Sequence, residues 1–413
     1  MLWLAVLLSL AFTASLFFRT DLLTQHHPDF IKPWDHHKYI YMAEHPLQFH
    51  IAPFCWRILN PLAAAVLPFS LESNFILLAF LAEWGSGIGM FLICRAAGFN
   101  NSLSVLGMLA FFSNAWAAKS PVYFFYTTDA MVLFFIIMLL WMIISKKDML
   151  FMTTLCAGAL LKESVLFMIP LFYSMNARSF FDKAVLRKSV LYCFPAVIVL
   201  IGVRVGIPSK NEDSDYKKTL PAEVRLINYL DPSGTTVTGT DGKIVTIDPE
   251  QYEYASLLSS VIRYRLENFS VDQLRELSVR TFGWIVIVSL FWNLQSSMKL
   301  MLRVFPFVIL SYVQLLFALN TNRLIIIIYP VLIIGALHGI HSAINHSRYF
   351  LHVFYGICIT GILLNLSTRL PVPNQFGTIW FIVSFFITVF VLYRNFIGGT
   401  LSKDHEHSSR WQI

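Results

Sequence analysis

The residues best equipped for chemistry gather in one short polar stretch. His26-His27-Pro28-Asp29 is followed by Trp34-Asp35-His36-His37-Lys38-Tyr39, then by Glu44-His45-Pro46, His50 and Pro53-Phe54-Cys55-Trp56-Arg57. An acid among aromatics can take a proton from a hydroxyl, and an arginine closing a proline-rich turn can hold a phosphate through paired N–H donors. Six of the twelve histidines lie between 26 and 50, which raises the question of a metal. Asp35, His36 and His37 have the right types for zinc, but consecutive histidines tend to diverge and no recognised ligand spacing is present. No metal ligand is therefore assigned, and a divalent metal stays open. The plain alternative is a solvated loop at a membrane surface, where Trp, Tyr and His are common.

Four further ionisable groups interrupt apolar sequence. Asp129 closes Tyr126-Thr127-Thr128-Asp129 and opens a long apolar run, where an acid either caps a helix or serves a site. Lys162-Glu163 breaks the run 149–174, as a neutralising ion pair or as a functional one. Arg323, in Asn320-Thr321-Asn322-Arg323, precedes an isoleucine run that ends at Pro330. Glu83 stands before Trp84-Gly85-Ser86-Gly87, where small residues let another helix approach, so packing and function are both open.

The elements that must position these groups are hydrophobic helices. Apolar residues make up 56% of the 413 positions and charged residues 13%, against about 25% in soluble domains. Runs such as 73–93, 129–145, 189–206, 324–342 and 376–393 are of the length that crosses roughly 30 Å of hydrocarbon. They are continuous rather than alternating, which selects helix over barrel strand. The expectation is an all-α polytopic membrane protein with about ten to twelve transmembrane helices, the first being residues 1–18. The net charge of +7 is spread over short loops, so it reads as topology and not as a nucleic-acid surface. The five cysteines show no CxxC spacing and read as buried apolar residues.

Placing Arg95, Lys146 and Lys147 on the cytoplasmic side puts the 19–58 loop on the opposite face. A single crossing over 149–174 would then expose Arg178, Lys183, Arg187 and Lys188 externally, so that segment is expected to enter and return with Lys162-Glu163 at its tip. Four units result. Residues 1–206 form an N-terminal transmembrane module carrying the 19–58 loop, and 207–280 a small external α+β domain. Residues 281–394 form C-terminal transmembrane helices, and 395–413 a cytoplasmic tail. Within 207–280 a hairpin is expected from Thr235 to Ile247 around Asp241-Gly242, then a helix with a capping pattern at Ser270 and Gln273.

The order of these motifs resembles the GT-C superfamily of polytopic glycosyltransferases. Asp35-His-His-Lys-Tyr39 continuing into Pro53-Phe-Cys-Trp-Arg57-Ile-Leu-Asn-Pro61 is similar to the first external loop of bacterial members. Thr128-Asp129-Ala130, Leu-Leu-Lys162-Glu163-Ser and Arg323 before its apolar run also match, over most of residues 1–342. The resemblance implies a GT-C-like bundle that transfers a sugar from a polyprenyl-phosphate carrier to a glycan, lipid or protein acceptor, with inversion, on the non-cytoplasmic face. It implies Asp35 as general base. It also implies Arg323, Lys162 and Arg57 at the phosphate, with Tyr39, Asp129 and Glu163 beside them in the substrate site. A bacterial inner membrane is the expected location, with the endoplasmic reticulum as the alternative. Some members carry a second acid beside the base, where this chain has His36, so Asp29 and Glu44 remain alternative bases. A polymerase or ligase of lipid-linked glycans, and a transporter or flippase of a lipid-linked or anionic solute, are the competing expectations.

Overall fold

The structure is a computed structural model that describes residues 1–31, 35–179, 181–221, 224, 236–238, 244–246, 262, 270–283, 285, 294–317, 321–344, 349–369, 382–384 and 386–390. The expected spans at 281–295 and 376–393 lie largely outside these residues, and the tail 395–413 wholly so. Helices dominate. In chain order they are α1 (Leu2–Arg19), α2 (His36–Glu44), α3 (Leu59–Val66), α4 (Leu71–Ala96) and α5 (Asn101–Phe112). Next come α6 (Ser120–Tyr123), α7 (Asp129–Ile144), α8 (Asp148–Ala159), α9 (Met168–Asn176), α10 (Lys183–Gly206) and α11 (Ser214–Thr219). The C-terminal part holds α12 (Val271–Phe282), α13 (Leu294–Val313), α14 (Thr321–Ile325), α15 (Tyr329–Ile344) and α16 (Tyr349–Ser367).

Among the described residues, four stretches are long and apolar enough to cross a membrane: Leu2–Arg19, Leu71–Ala96, Lys183–Gly206 and Asn322–His341. Five shorter apolar helices accompany them, among them Asn101–Phe112, Asp129–Ile144 and Asp148–Ala159. Side chains along α10 explain why water is a poor solvent for this surface. Val190, Leu191, Phe194, Ile198, Ile201 and Val205 all point outward, with Val205 76% exposed. A continuous apolar face of that kind is stable only against lipid or another protein.

Side-chain caps set the helix starts. Ser70 accepts from the Ser73 amide at α4, Asn100 from Leu103 at α5, and Asp182 from Ala184 and Val185 at α10. Ser270 accepts from Gln273 at α12, as the sequence pattern predicts. Strands Thr236–Thr238 and Ile244–Thr246 pair antiparallel with Val237 opposite Val245, in keeping with the expected hairpin. Their turn at Asp241-Gly242, and most of the 207–280 domain, lie outside the described residues. The chain after α10 packs on the first loop: Asn211 Oδ1 accepts from the Ala52 amide at 2.7 Å, and Trp56 donates to the Ile207 carbonyl at 3.0 Å.

The centre of the bundle is α4, which packs against α1, α5 and α7. Small residues permit this. A Cβ on Gly85 would meet the Phe134 ring at 2.6 Å, and one on Gly87 would collide with Ser9 and Phe112. Both readings of the Glu83 region are therefore live at the level of structure: its neighbours pack closely, and Glu83 itself is fully buried with neither carboxylate oxygen hydrogen-bonded.

The segment 148–176 is a helical hairpin. It breaks over Leu160–Lys162, and its two outer ends meet, since Phe151 stacks on Phe172 at 4.6 Å and Lys146 donates to Asn176 at 3.0 Å. Twelve residues of α8 rise only about 18 Å, well short of a hydrocarbon core, so the tip stops inside the bundle. The α3 start reaches that tip through the Leu59 amide, which donates to the Leu160 carbonyl at 3.0 Å.

Candidate functional site

Four elements bring the hairpin tip, the first loop and the starts of α7 and α14 to one end of the bundle. Asp129 occupies the first turn of α7, but Thr128 is the residue at the cap and Asp129 makes no capping bond. Its carboxylate instead accepts from Lys162 Nζ at 3.2 Å on one oxygen and from Arg323 Nε at 2.5 Å on the other. The capping reading of Asp129 is thus replaced by a charged one. The three groups come from α7, the hairpin tip and α14, and each side chain is only 11–12% exposed.

Lys162 and Glu163 do not pair with each other, contrary to one of the two readings of the sequence. Lys162 has an extended backbone, φ −169° and ψ 141°, which sends consecutive side chains to opposite sides. Glu163 turns to Arg57, whose Nε and second guanidinium nitrogen both lie 3.2 Å from one carboxylate oxygen. The Tyr39 hydroxyl lies beside both Arg57 and Thr128. Guanidinium groups rest on rings here, Arg57 at 5.1 Å from the Phe54 centroid and Arg323 at 4.8 Å from that of Phe124.

Asp35 sits immediately before α2, 3.7 Å from Lys38 Nζ, and lies within electrostatic reach of both Arg57 and Arg323. All seven residues singled out in the sequence, Asp35, Tyr39, Arg57, Asp129, Lys162, Glu163 and Arg323, therefore belong to one network. Lys38 joins them and was not anticipated. It is 1% exposed, with its ammonium over Phe54 at 4.7 Å, and burial pulls its pKa below the usual lysine value while Asp35 opposes that shift. Four basic side chains thus stand against three carboxylates, an excess of one that suits an anion. Only burial could have revealed Lys38, because its spacing within a polar helix gives no signal.

The alternative bases lie elsewhere. Tyr123 donates to Asp29 at 3.4 Å, and Glu44 is exposed at the far end of α2. The His36 and His37 rings do not diverge as expected but lie 3.9 Å apart, because both pack around Phe30 at the start of α2. His36 Nε2 is 2.9 Å from the Phe30 carbonyl. Burial, then the neighbouring His37, lowers the His36 pKa to about 3, so its ring stays neutral. Among the described residues no three His, Cys, Asp or Glu side chains are grouped to hold a metal ion.

A second polar pair frames the same end. Tyr126 donates to Glu72 at 2.9 Å, and the same oxygen accepts the Gln25 amide at 2.9 Å, tying the first loop to α4. Asn60 donates to the Thr127 carbonyl at 3.3 Å and fixes the turn that presents Asp129. The opposite end of the bundle is chemically different, with Lys188 on Asp148 and Arg95 on the Phe99 carbonyl. Comparison with protein-family models and with curated proteins finds no match for this chain.

Proposed function

We propose that the chain is a polytopic membrane glycosyltransferase of GT-C type, which moves a sugar from a polyprenyl-phosphate carrier to an acceptor hydroxyl on the face bearing the first loop. The observation that carries this reading is the sharing of Asp129 between Lys162 and Arg323, with Arg57 and Asp35 in the same network. A carboxylate braced by two cations keeps them in place before any ligand arrives, and preorganised cations stabilise charge as it develops.

In this reading the Asp35 carboxylate takes the acceptor O–H proton while that oxygen attacks the anomeric carbon. The bond from that carbon to the phosphate oxygen breaks, and the lipid phosphate leaves with the electron pair. Arg323, Lys162 and Arg57 stabilise the departing anion. Attack opposite the leaving group inverts the anomeric centre. Glu163 holds Arg57 beside Tyr39, and Asp129 holds the other two cations. The exposed apolar faces of α1 and α10 support immersion in a bilayer, and a bacterial inner membrane fits the polyprenyl carrier.

The test is binding of a short-chain polyprenyl phosphate to the full chain in nanodiscs. Arg323→Ala should weaken it about tenfold or more, since a charge-assisted hydrogen bond contributes roughly 1.5–3 kcal/mol. Unchanged affinity would remove Arg323 from the phosphate site. One observation favours a carrier of an anionic or lipid-linked solute instead, namely the buried and unbonded Glu83 carboxyl within α4. Movement of a lipid-linked sugar across proteoliposomes by the wild type, lost in Glu83→Gln, with no glycosyl transfer by either protein, would support that second reading.

A further inference from the structure

Glu83 lies inside the bundle, away from the ionic network, and the proposed transfer makes no use of it. Counted from Leu71 at the start of α4, the helix has risen about 18 Å by Glu83, which places it near the middle of a roughly 30 Å hydrocarbon core. The side chain is fully buried, both carboxyl oxygens are shut off from solvent, and neither has a hydrogen-bond partner. Helix α1 runs past this level of α4. Ser9 donates to the Trp84 carbonyl at 2.8 Å, and the Phe17 and Phe80 ring centroids are 5.3 Å apart, so Thr13, between those contacts on α1, comes level with Glu83. The Thr13 hydroxyl is buried and unbonded as well.

No neighbouring charge compensates this carboxyl. The helices packed on α4 are α1, α3, α5, α6 and α7, and every residue of them is described. From Leu2 to Phe18 α1 carries no titratable side chain, and α3 and α5 carry none at all. Asp129, in the first turn of α7, is held by Lys162 and Arg323. Lys119, just before α6, donates to the Asn365 and Thr368 carbonyls, and Tyr123 within α6 donates to Asp29. On α4 itself Glu72, Cys94 and Arg95 stand near the ends. None of these groups comes within electrostatic reach of Glu83. An ionised carboxyl here would bear a desolvation cost that nothing offsets, and a buried acid in that position avoids it by keeping its proton. A metal ion does not fit instead, because it needs several oxygens together and the neighbours along α4, Ala82, Gly85 and Gly87 among them, offer no side-chain oxygen.

We infer that Glu83 is a proton-binding site, a carboxylic acid that keeps its proton at neutral pH in the middle of the bundle. The bound proton removes the charge and lets α1 lie against α4, and it leaves only when the two helices part and admit water. The inference holds for a transferase and for a carrier alike, so it does not rest on the role given to Asp35. Infrared spectra of the full chain in nanodiscs at neutral pH test it, with carbon-13 placed at the glutamate side-chain carboxyls. The wild type should show a glutamic-acid C=O band that is lost in both Glu83→Gln and Glu83→Met, while the carboxylate bands keep their intensity. The glutamine variant keeps the shape of the neutral acid, and the methionine variant requires no hydrogen bond. A wild type without any acid band would overturn the inference with no appeal to a variant. Loss of carboxylate intensity in place of the acid band, or an acid band that both variants retain, would overturn it equally.

Discussion

Asp129 makes the clearest energetic statement at the scale of single residues. Its carboxylate neutralises two cations that would otherwise face each other in a nearly dry site. Asp129→Asn should therefore lower stability by about 3–5 kcal/mol, the cost of stranding buried charge, and should be read from the thermal unfolding midpoint in detergent. An unchanged midpoint would mean that water already solvates Lys162 and Arg323. His36 gives a prediction in pH. The folded protein holds this ring neutral down to about 3, whereas an unfolded chain protonates it near the ordinary histidine value of 6.5. Its contribution is complete above 6.5 and is lost as pH falls from there toward 3. His36→Gln should flatten that part of the stability profile, and a profile of unchanged slope would contradict the assignment. Asp129, Lys162, Glu163 and Arg323 stood out in the sequence because they interrupt or border apolar chain, and Asp35, Tyr39 and Arg57 because they lie in a polar loop whose motif order carries the resemblance. Their pairing could not, because whether Lys162 meets Glu163 or Asp129 depends on backbone torsions at the hairpin tip.

At the scale of elements the hairpin α8–α9 is decisive, since it delivers Lys162 to depth and Glu163 to Arg57. Its break was legible in the sequence from the charge balance of the flanking basic residues. Its tight turn was not, because that depends on Gly158, where a Cβ would collide with Val165. Gly158→Ala should overpack the tip and cost about 1–3 kcal/mol, with Val165→Ala in the same chain restoring most of it. Failure of the second substitution to restore the thermal midpoint would show that the two residues do not meet. Reading α2 from the sequence alone was harder still. Nine residues with a weak apolar pattern give little sign of two distinct faces, yet one face buries Tyr39 and the other floors a cleft. The loop after α10 was read as part of a separate unit, yet Asn211 and Tyr216 hydrogen-bond Ala52 and His50. Long-range pairings of this kind leave no periodicity to detect.

For the whole molecule the main property is that its two ends differ. One end gathers Asp35, Arg57, Asp129, Lys162 and Arg323, while the other carries Arg95, Lys146, Lys147 and Lys188, a basic surface suited to the cytoplasmic side. Cysteines introduced at Glu44 and at Lys147 should thus react oppositely with a membrane-impermeant maleimide applied to intact cells, Glu44→Cys labelled and Lys147→Cys protected. Composition and run length carried the helical character of the chain and the presence of helices apolar and long enough to cross a membrane. The convergence of four distant segments on one site needed the folded structure. The central claim is that this convergence performs glycosyl transfer with Asp35 as base. Mass spectrometry of polyprenyl-phosphate sugars in membranes holding equal amounts of wild-type or Asp35→Asn protein tests it most directly. The expected result is a lipid-linked sugar consumed by the wild type and accumulating with the variant, its turnover slowed by about a hundredfold or more. Equal consumption by both proteins, or identical lipid pools with and without the chain, would contradict the account.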